Sequence, residues 1–276
     1  MKNPIGVQIN YRRDTDLDIA IQKAKEMGME SCQLNIWDEA VYCDEHVNKI
    51  NEAVAKHSFK ISSIWAGWPG PREWNFQFGP ATIGLVPPAY RALRMDSLKK
   101  ASDFAEKIGV DKIATHVGFI PENPDHPDFT GTVTALRDVC SYMKKKNQYF
   151  LFETGQETPV TMLRTIQAMR RDNVGVNFDT ANLLLYGKAN SLDALDILGT
   201  YVMDTHIKDG FYPTDGMSLG KECVAGQGKA NIPAIVRKLN EIGYTGPFTI
   251  EREISGEQQI KDIIVARELL RESMKS

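Results

Sequence analysis

The sequence predicts a single-domain α/β protein of the (β/α)8 TIM-barrel class. Short apolar runs alternate with longer amphipathic patterns through all 276 residues, as expected of a chain built from repeated βα units. Several helix patterns end in a glycine shortly before the next apolar run, which is typical of a helix C-terminus. These helix-terminating glycines are found at Met27-Gly28, Ile108-Gly109 and Ile242-Gly243. No linker composition interrupts the alternation, so we expect one domain over residues 1–276.

The predicted strands are short and mostly apolar, as in parallel strands that are covered on both faces. They are Ile5–Ile9, Ser31–Asn35, Lys60–Trp65, Lys112–Val117, Tyr149–Glu153, Val174–Asp179, Val202–Ile207 and Phe248–Glu251. The predicted helices are Leu17–Met27, Val47–Lys56, Met95–Ile108, Val133–Lys145, Pro159–Met169, Ile232–Ile242 and Ile260–Leu270, with a weaker one at Ser191–Leu198 that Asn190 or Ser191 would cap. A doubly wound sheet is the alternative, but no G-x-G-x-x-G turn follows the first strand.

Residues 66–90 form a predicted long loop after the third strand, with little helical or strand periodicity. The four tryptophans of the chain fall in or beside this loop or after the second strand: Trp37, Trp65, Trp68 and Trp74. In a barrel the loop would lie over the C-terminal face, where Trp37 and Trp68 could contact the apolar face of a sugar. The alternative is that the rings pack the loop down or form a subunit contact.

The composition argues against several classes of partner. A formal charge of -3 and a pI near 6.0 give no general attraction to nucleic acid or to an anionic membrane surface. No apolar stretch approaches a membrane span, and the N-terminus lacks the apolar core of a signal peptide. The four cysteines show no C-x-x-C spacing, which favours free thiols in a reducing compartment. We therefore expect a cytoplasmic protein.

Strands five to eight each end in a side chain that can bind a metal: Glu153, Asp179, His206 and Glu251. Because the C-terminal ends of neighbouring parallel strands converge in a barrel, these side chains should meet at one point. Three carboxylates and one imidazole suit a divalent ion, with Mn²⁺ favoured and Mg²⁺, Co²⁺ or Zn²⁺ as alternatives. The pattern disfavours a structural zinc site built from thiolates.

Two glutamates beside one metal also suggest proton transfer. A divalent ion can polarise the carbonyl and adjacent hydroxyl of a bound sugar, which acidifies the C–H between them. Glu153 or Glu251 would remove that proton to give a metal-bound enediolate, and the other would return a proton to the opposite face or to the neighbouring carbon. In the alternative, both glutamates are metal ligands only.

Four strings resemble the xylose isomerase-like TIM-barrel superfamily: L-F-E-T-G-Q-E, V-G-V-N-F-D-T-A-N-L-L-L-Y-G, D-T-H-I-K-D-G and F-T-I-E-R-E. Within it they are most similar to the sugar phosphate isomerase/epimerase group, which includes ketose 3-epimerases of the tagatose/psicose type. The resemblance implies that Glu153, Asp179, His206 and Glu251 bind one divalent metal, with Glu153 and Glu251 as the acid/base pair. It further implies a carbohydrate substrate and a homo-oligomer, either a dimer or a tetramer.

Four more positions are candidates for substrate binding. His116, near the end of the fourth predicted strand, would face the site or be a core histidine satisfied by a neighbour. Glu157 resembles a second glutamate that contacts substrate oxygens in the epimerases, or it is an exposed carboxylate at a helix start. Lys208 follows His206 by two residues and could bind a substrate oxygen, a phosphate or a carboxylate, or pair with Asp209. Asn182 stands where many of these enzymes have a substrate-contacting histidine, and their arginine after the seventh-strand histidine is not evident here.

Alternative functions share this chemistry or this fold. Lyases of the superfamily, such as inosose dehydratases and subunits that cleave keto-C-glycosides, also begin by removing a proton beside a carbonyl. A barrel that binds a sugar without turning it over, or that serves as a partner subunit, could keep the same ligands. An endonuclease IV-type enzyme would need a His-rich three-metal cluster and a basic face, whereas this chain has five histidines and a negative charge.

Overall fold

The computed structural model describes residues 3–275 and confirms the predicted architecture, a closed barrel of eight parallel strands in one domain. In chain order the strands are β1 (Ile5–Asn10), β2 (Ser31–Ile36), β3 (Lys60–Ala66), β4 (Lys112–Thr115), β5 (Tyr149–Glu153), β6 (Val174–Asp179), β7 (Val202–Ile207), β8 (Asp209–Phe211), β9 (Lys221–Cys223) and β10 (Phe248–Ile250). The barrel closes in the order β1-β10-β7-β6-β5-β4-β3-β2, and β8 and β9 form a separate antiparallel pair.

The helices lie mostly outside the barrel and follow its strands. They are α1 (Leu17–Glu26), α2 (Asp44–His57), α3 (Gly79–Thr82), α4 (Pro88–Lys107), α5 (Pro127–Lys144), α6 (Pro159–Met169), α7 (Asn182–Leu185), α8 (Ser191–Leu198), α9 (Ile232–Glu241) and α10 (Glu257–Ser273). The bounds of α6 and α8 agree with the prediction. Asn190 caps α8 as expected, since its side chain accepts from the backbone amides of Leu192 and Asp193.

The apolar core lies between the barrel and the helices, but part of the barrel interior is polar. The carboxylate of Asp204 in β7 is fully buried and accepts hydrogen bonds from Ser62 and Ser63 of β3, at 2.9 and 2.6 Å. Thr249 of β10 donates to the same carboxylate at 3.1 Å. These bonds satisfy a buried charge and tie three strands together across the barrel.

The loop after β3 is shorter than predicted, because α4 begins at Pro88 and the short helix α3 interrupts the segment. The Pro87-Pro88 pair suggested a loop, yet proline is well suited to the first turn of a helix. Arg94 of α4 holds the loop down: it is 1 % exposed and donates to the carbonyls of Pro69, Pro71 and Gly84.

Asp209 organises the segment after β7. Its carboxylate, 2 % exposed, accepts hydrogen bonds from the backbone amides of Gly210, Gly226, Gly228 and Ala230, at 2.8 to 3.0 Å. The glycine-rich loop before α9 is therefore folded around a carboxylate of the chain itself.

Two further expectations from the sequence concern the cysteines and membrane-spanning helices. Cys32, Cys43, Cys140 and Cys223 are free thiols, as predicted. Within residues 3–275 no helix combines the length and hydropathy needed to cross a bilayer.

Candidate metal centre and active site

The structure brings Glu153, Asp179, His206 and Glu251 together at the C-terminal end of the barrel. Each offers one ligand atom, and these atoms all lie within 4.8 Å of one another. Nδ1 of His206 lies 3.2 Å from carboxylate oxygens of both Glu153 and Glu251, and 3.7 Å from Oδ2 of Asp179. The convergence predicted from the strand ends is therefore present in the fold.

Gln33 of β2 orients the imidazole of His206. Its Oε1 lies 2.5 Å from Nε2 of the histidine, while its Nε2 donates to Ser63 Oγ and Asn177 Oδ1. Because the amide nitrogen is committed to those acceptors, the amide oxygen faces the ring and Nε2 carries the ring proton. Nδ1 therefore faces the carboxylates, and it would offer its lone pair to an ion bound there, the arrangement typical of a metal-ligating histidine.

Glu153 is buried among donors. Its carboxylate accepts hydrogen bonds from Nε1 of Trp65 and from Nδ2 of Asn182, the latter at 3.2 Å, and Nε2 of His116 lies 3.5 Å away. Burial alone would raise the pKa of Glu153, but the neighbouring His116 and His206 outweigh burial and hold that pKa below its ordinary value. Glu153 is therefore kept ionised inside the protein.

Glu251 follows β10 directly and keeps 10 % of its side chain exposed, so it reaches the floor of the open site. Lys208 is almost completely buried, and its Nζ lies 2.9 Å from Glu251, 3.0 Å from Asp179 and 2.9 Å from Glu253. Burial opposes ionisation of Glu251, yet His206 and Lys208 outweigh burial and hold its pKa well below the ordinary value. Lys208 thus contacts the acidic cluster, and its ammonium pairs with these carboxylates instead of Asp209.

The donor set fits a divalent cation. Glu153, Asp179 and Glu251 bring three carboxylates to one point, and the ammonium of Lys208, which Glu253 shares, offsets only part of the negative charge. Oδ1 of Asp179 accepts from the amides of Ala181 and Asn182, whereas Oδ2 faces the cluster, 3.0 Å from Nζ of Lys208 and 3.7 Å from Nδ1 of His206. Oδ2 accepts no backbone amide and is therefore placed to serve as a metal ligand. Within residues 3–275 this is the one group with metal-binding geometry.

An inner cavity of about 560 Å³ opens above the cluster. Glu153 and Glu251 form part of its floor, and three tryptophans, Trp37, Trp65 and Trp74, line it together with His116, Asn182 and Tyr186. The ring centroids of Trp37 and Trp65 are 5.0 Å apart, and Trp74 lies 5.4 Å from His116. Flat aromatic side chains above a polar floor suit a ligand with one apolar face and several hydroxyls.

Only some of the predicted substrate-binding residues line the inner cavity. Trp37, His116 and Asn182 line the inner cavity, whereas Trp68, Glu157 and Lys208 do not. Trp68 is 3 % exposed and packs between Trp37, Trp65 and Arg94, so it holds the loop down.

Glu157 is buried behind the cavity wall. Neither of its carboxylate oxygens has a hydrogen-bond partner among the described residues. Burial raises the pKa of Glu157 to about 8, so this side chain is a neutral acid at pH 7.

Sequence reasoning missed Gln33, Trp65 as a hydrogen-bond donor, and Trp74 as a cavity residue. Gln33 stands inside an otherwise ordinary buried strand, where a glutamine needs polar partners. A polar side chain in a buried strand could therefore have marked Gln33 as a candidate. Its partners could not be predicted, because they lie on β3, β6 and β7 and meet only inside the barrel.

The family model for xylose isomerase-like TIM barrels matches residues 21–273, and the chain belongs to this family. The crystal structure of a xylose isomerase domain protein from Planctomyces limnophilus is 33 % identical, with a TM-score of 0.93; the alignment covers 100 % of this chain and 98 % of that one.

Two more distant proteins are also similar. D-psicose 3-epimerase from Clostridium cellulolyticum H10, solved with D-tagatose, is 15 % identical with a TM-score of 0.70 and 99 % of each chain covered, a likeness that shows the fold alone. The uncharacterized protein MJ1311 of Methanocaldococcus jannaschii is 22 % identical over 194 residues. That match covers 66 % of this chain and 62 % of the relative, which is less than two thirds of the relative's length.

Proposed function

We propose that the protein is a divalent-metal-dependent sugar isomerase or 3-epimerase that acts on a ketose or keto-sugar. The observation that carries this proposal is the pair Glu153 and Glu251, which flank His206 at 3.2 Å each on the floor of a cavity lined by tryptophans. A ligand-binding site needs no second proton-transferring carboxylate, so the pair favours catalysis over sugar binding alone. Family membership and a 3-epimerase of the same fold support the same conclusion.

In this proposal Glu153, Asp179, His206 and Glu251 hold the ion, with Mn²⁺ expected. When bound, the ion supplies Lewis acidity that makes the C–H beside the sugar carbonyl more acidic. One of the two glutamates accepts the proton from that carbon. The other donates a proton to the opposite face of the same carbon, which gives epimerisation, or the proton goes to the neighbouring carbon, which gives isomerisation.

The surrounding residues would position these groups and the sugar. Trp65 and Asn182 hold the carboxylate of Glu153 in one orientation, and Lys208 does the same for Glu251. His116, Asn182 and Trp37 line the inner cavity and are the proposed sugar contacts. Asn182 can donate and accept hydrogen bonds but does not titrate near neutral pH, so we assign it binding and orientation only.

The test is solvent proton exchange followed by NMR in D₂O. The metal-free and Mn²⁺-loaded proteins are incubated with free ketoses, their phosphates and keto-glycosides. We expect deuterium at a carbon beside the carbonyl of at least one compound, only with the ion present, and the product then separates an epimerase from an isomerase or a lyase. Metal-loaded protein that exchanges no proton in any compound would refute the proposal and favour a binding or partner-subunit role.

A further inference from the structure

Polar side chains lead from the candidate metal centre toward a second cavity. Gln8 and Asn10 alternate with apolar residues on β1, as Gln33 and Asn35 do on β2, and the strand register pairs Gln8 with Gln33 and Asn10 with Asn35. Residues two apart on a strand point to the same side, so the four amides form a ladder with two rungs. We call these four residues the amide ladder.

The amide ladder is connected by hydrogen bonds that begin at His206. Nε2 of His206 contacts Oε1 of Gln33 at 2.5 Å, and Nε2 of Gln8 donates to the same oxygen at 3.5 Å. Nδ2 of Asn35 donates to Gln8 at 3.3 Å and to Asn10 at 2.8 Å. Asn10 and Asn35 form the outer rung of the ladder and line the inner cavity, so their amides can meet the hydroxyls of a bound ligand.

The outer cavity adjoins the inner one and has a volume of about 590 Å³. Asn10, Asn35 and Trp37 border both cavities. The outer cavity is further lined by Arg12, Arg13, Asp14, Asp38 and Arg72. The guanidinium of Arg72 stacks 4.3 Å from the ring of Trp37, and Arg13 pairs with Asp38 at 2.5 Å, so the charges lie at the rim and are partly compensated.

We propose that the substrate is a glycosidically extended keto-sugar of at least two rings, whose non-reacting unit lies on Asn10, Asn35 and Trp37 and extends into the outer cavity. The inference rests on the proposed function. A row of amides offers paired donors and acceptors to the hydroxyls of a sugar, and an aromatic ring beside them offers a surface for its apolar face. A free ketose bound at the metal centre would leave the outer cavity without a role.

The test compares substrates of different length in the deuterium-exchange assay with Mn²⁺-loaded protein. The probes are a free 3-keto-hexose, its methyl glycoside and a 3-keto-disaccharide, and the readout is kcat/KM for loss of the proton beside the ketone. We expect the disaccharide to exceed the free keto-hexose by at least about tenfold, chiefly through a lower KM. Equal kcat/KM values for the three probes, or a preference for the free keto-hexose, would overturn the inference and leave the proposed function intact.

Two variants test whether the preference for the disaccharide arises in the outer cavity. Asn10→Ala and Arg72→Ala should each reduce the ratio of disaccharide to monosaccharide kcat/KM about tenfold, because they remove a hydrogen-bonding partner and the support of Trp37. Arg237→Ala, on the exposed side of α9, is the matched control and should keep the wild-type ratio. A wild-type ratio in both outer-cavity variants would overturn the placement of the second ring. Absence of exchange with every probe would instead refute the proposed function itself.

Discussion

Replacing Glu251 with glutamine is expected to slow removal of the proton beside the sugar carbonyl by about 10²- to 10⁴-fold, the usual contribution of a general acid or base. Glutamine has nearly the shape of glutamate and can still offer an oxygen to a metal, but it cannot accept a proton at neutral pH. Lys208 would keep its contacts with Asp179 and Glu253, so the cluster should remain folded. The measurement is the exchange rate in D₂O with saturating Mn²⁺.

Metal content decides how a loss of activity in this variant is interpreted. Glu251→Gln protein that retains its ion by elemental analysis and loses exchange supports the acid/base role. Loss of the ion together with activity would instead agree with the view that the glutamates act as ligands only. Glu241→Gln, at the exposed end of α9, is a control for removal of one carboxylate. An exchange rate within tenfold of wild type in metal-loaded Glu251→Gln would contradict the assignment.

Replacing Asp209 with alanine is expected to destabilise the protein by about 3–5 kcal/mol. The carboxylate accepts four backbone amides from the segment between β7 and α9, and these donors would lose a charged acceptor at once. Some of the amides are partly buried and can recover water, so the loss is smaller than the sum of four separate hydrogen bonds. Urea-induced unfolding of wild type and variant measures the difference.

Asp209→Asn separates shape from charge in the same experiment. Its amide oxygen can accept two of the four bonds, but its NH₂ group would face the other two donors, so an intermediate loss is expected. A loss below about 1 kcal/mol in Asp209→Ala would show that the loop does not depend on this carboxylate. Because Asp209 follows Lys208, the alanine variant should also weaken Mn²⁺ binding, which calorimetry can measure.

The strands that carry the candidate site can be predicted to the residue at β5, β6 and β7, because a side chain that is costly to bury alone stands at or next to the end of each run. Knowing that parallel strands converge at their C-terminal ends then suffices to place Glu153, Asp179 and His206 together. Glu251 follows the last strand by one residue, which does not alter that result.

The rest of the site depends on contacts between distant segments, which the residue types do not specify. Lys208 could pair with Asp209 beside it, yet the backbone amides of the following loop satisfy Asp209, and Lys208 turns to Asp179 and Glu251. Trp68 and Trp74 belong to one aromatic loop, but Arg94 buries Trp68 while Trp74 remains at the cavity. The role of Gln33 follows only from its contact with the imidazole of His206, which the sequence does not reveal.

The proton-transfer role of Glu153 and Glu251 is tested most directly by the position of deuterium after partial conversion of an epimerised substrate in D₂O. Glu153 ends β5 and Glu251 follows β10, two strands separated by β6 and β7 in the barrel, and both carboxylates lie beside His206. We therefore expect the product to carry deuterium at the inverted carbon while recovered substrate keeps its original proton. Product that retains the substrate's proton, or recovered substrate labelled as fast as product, would show that a single group handles the proton and would contradict the two-glutamate assignment.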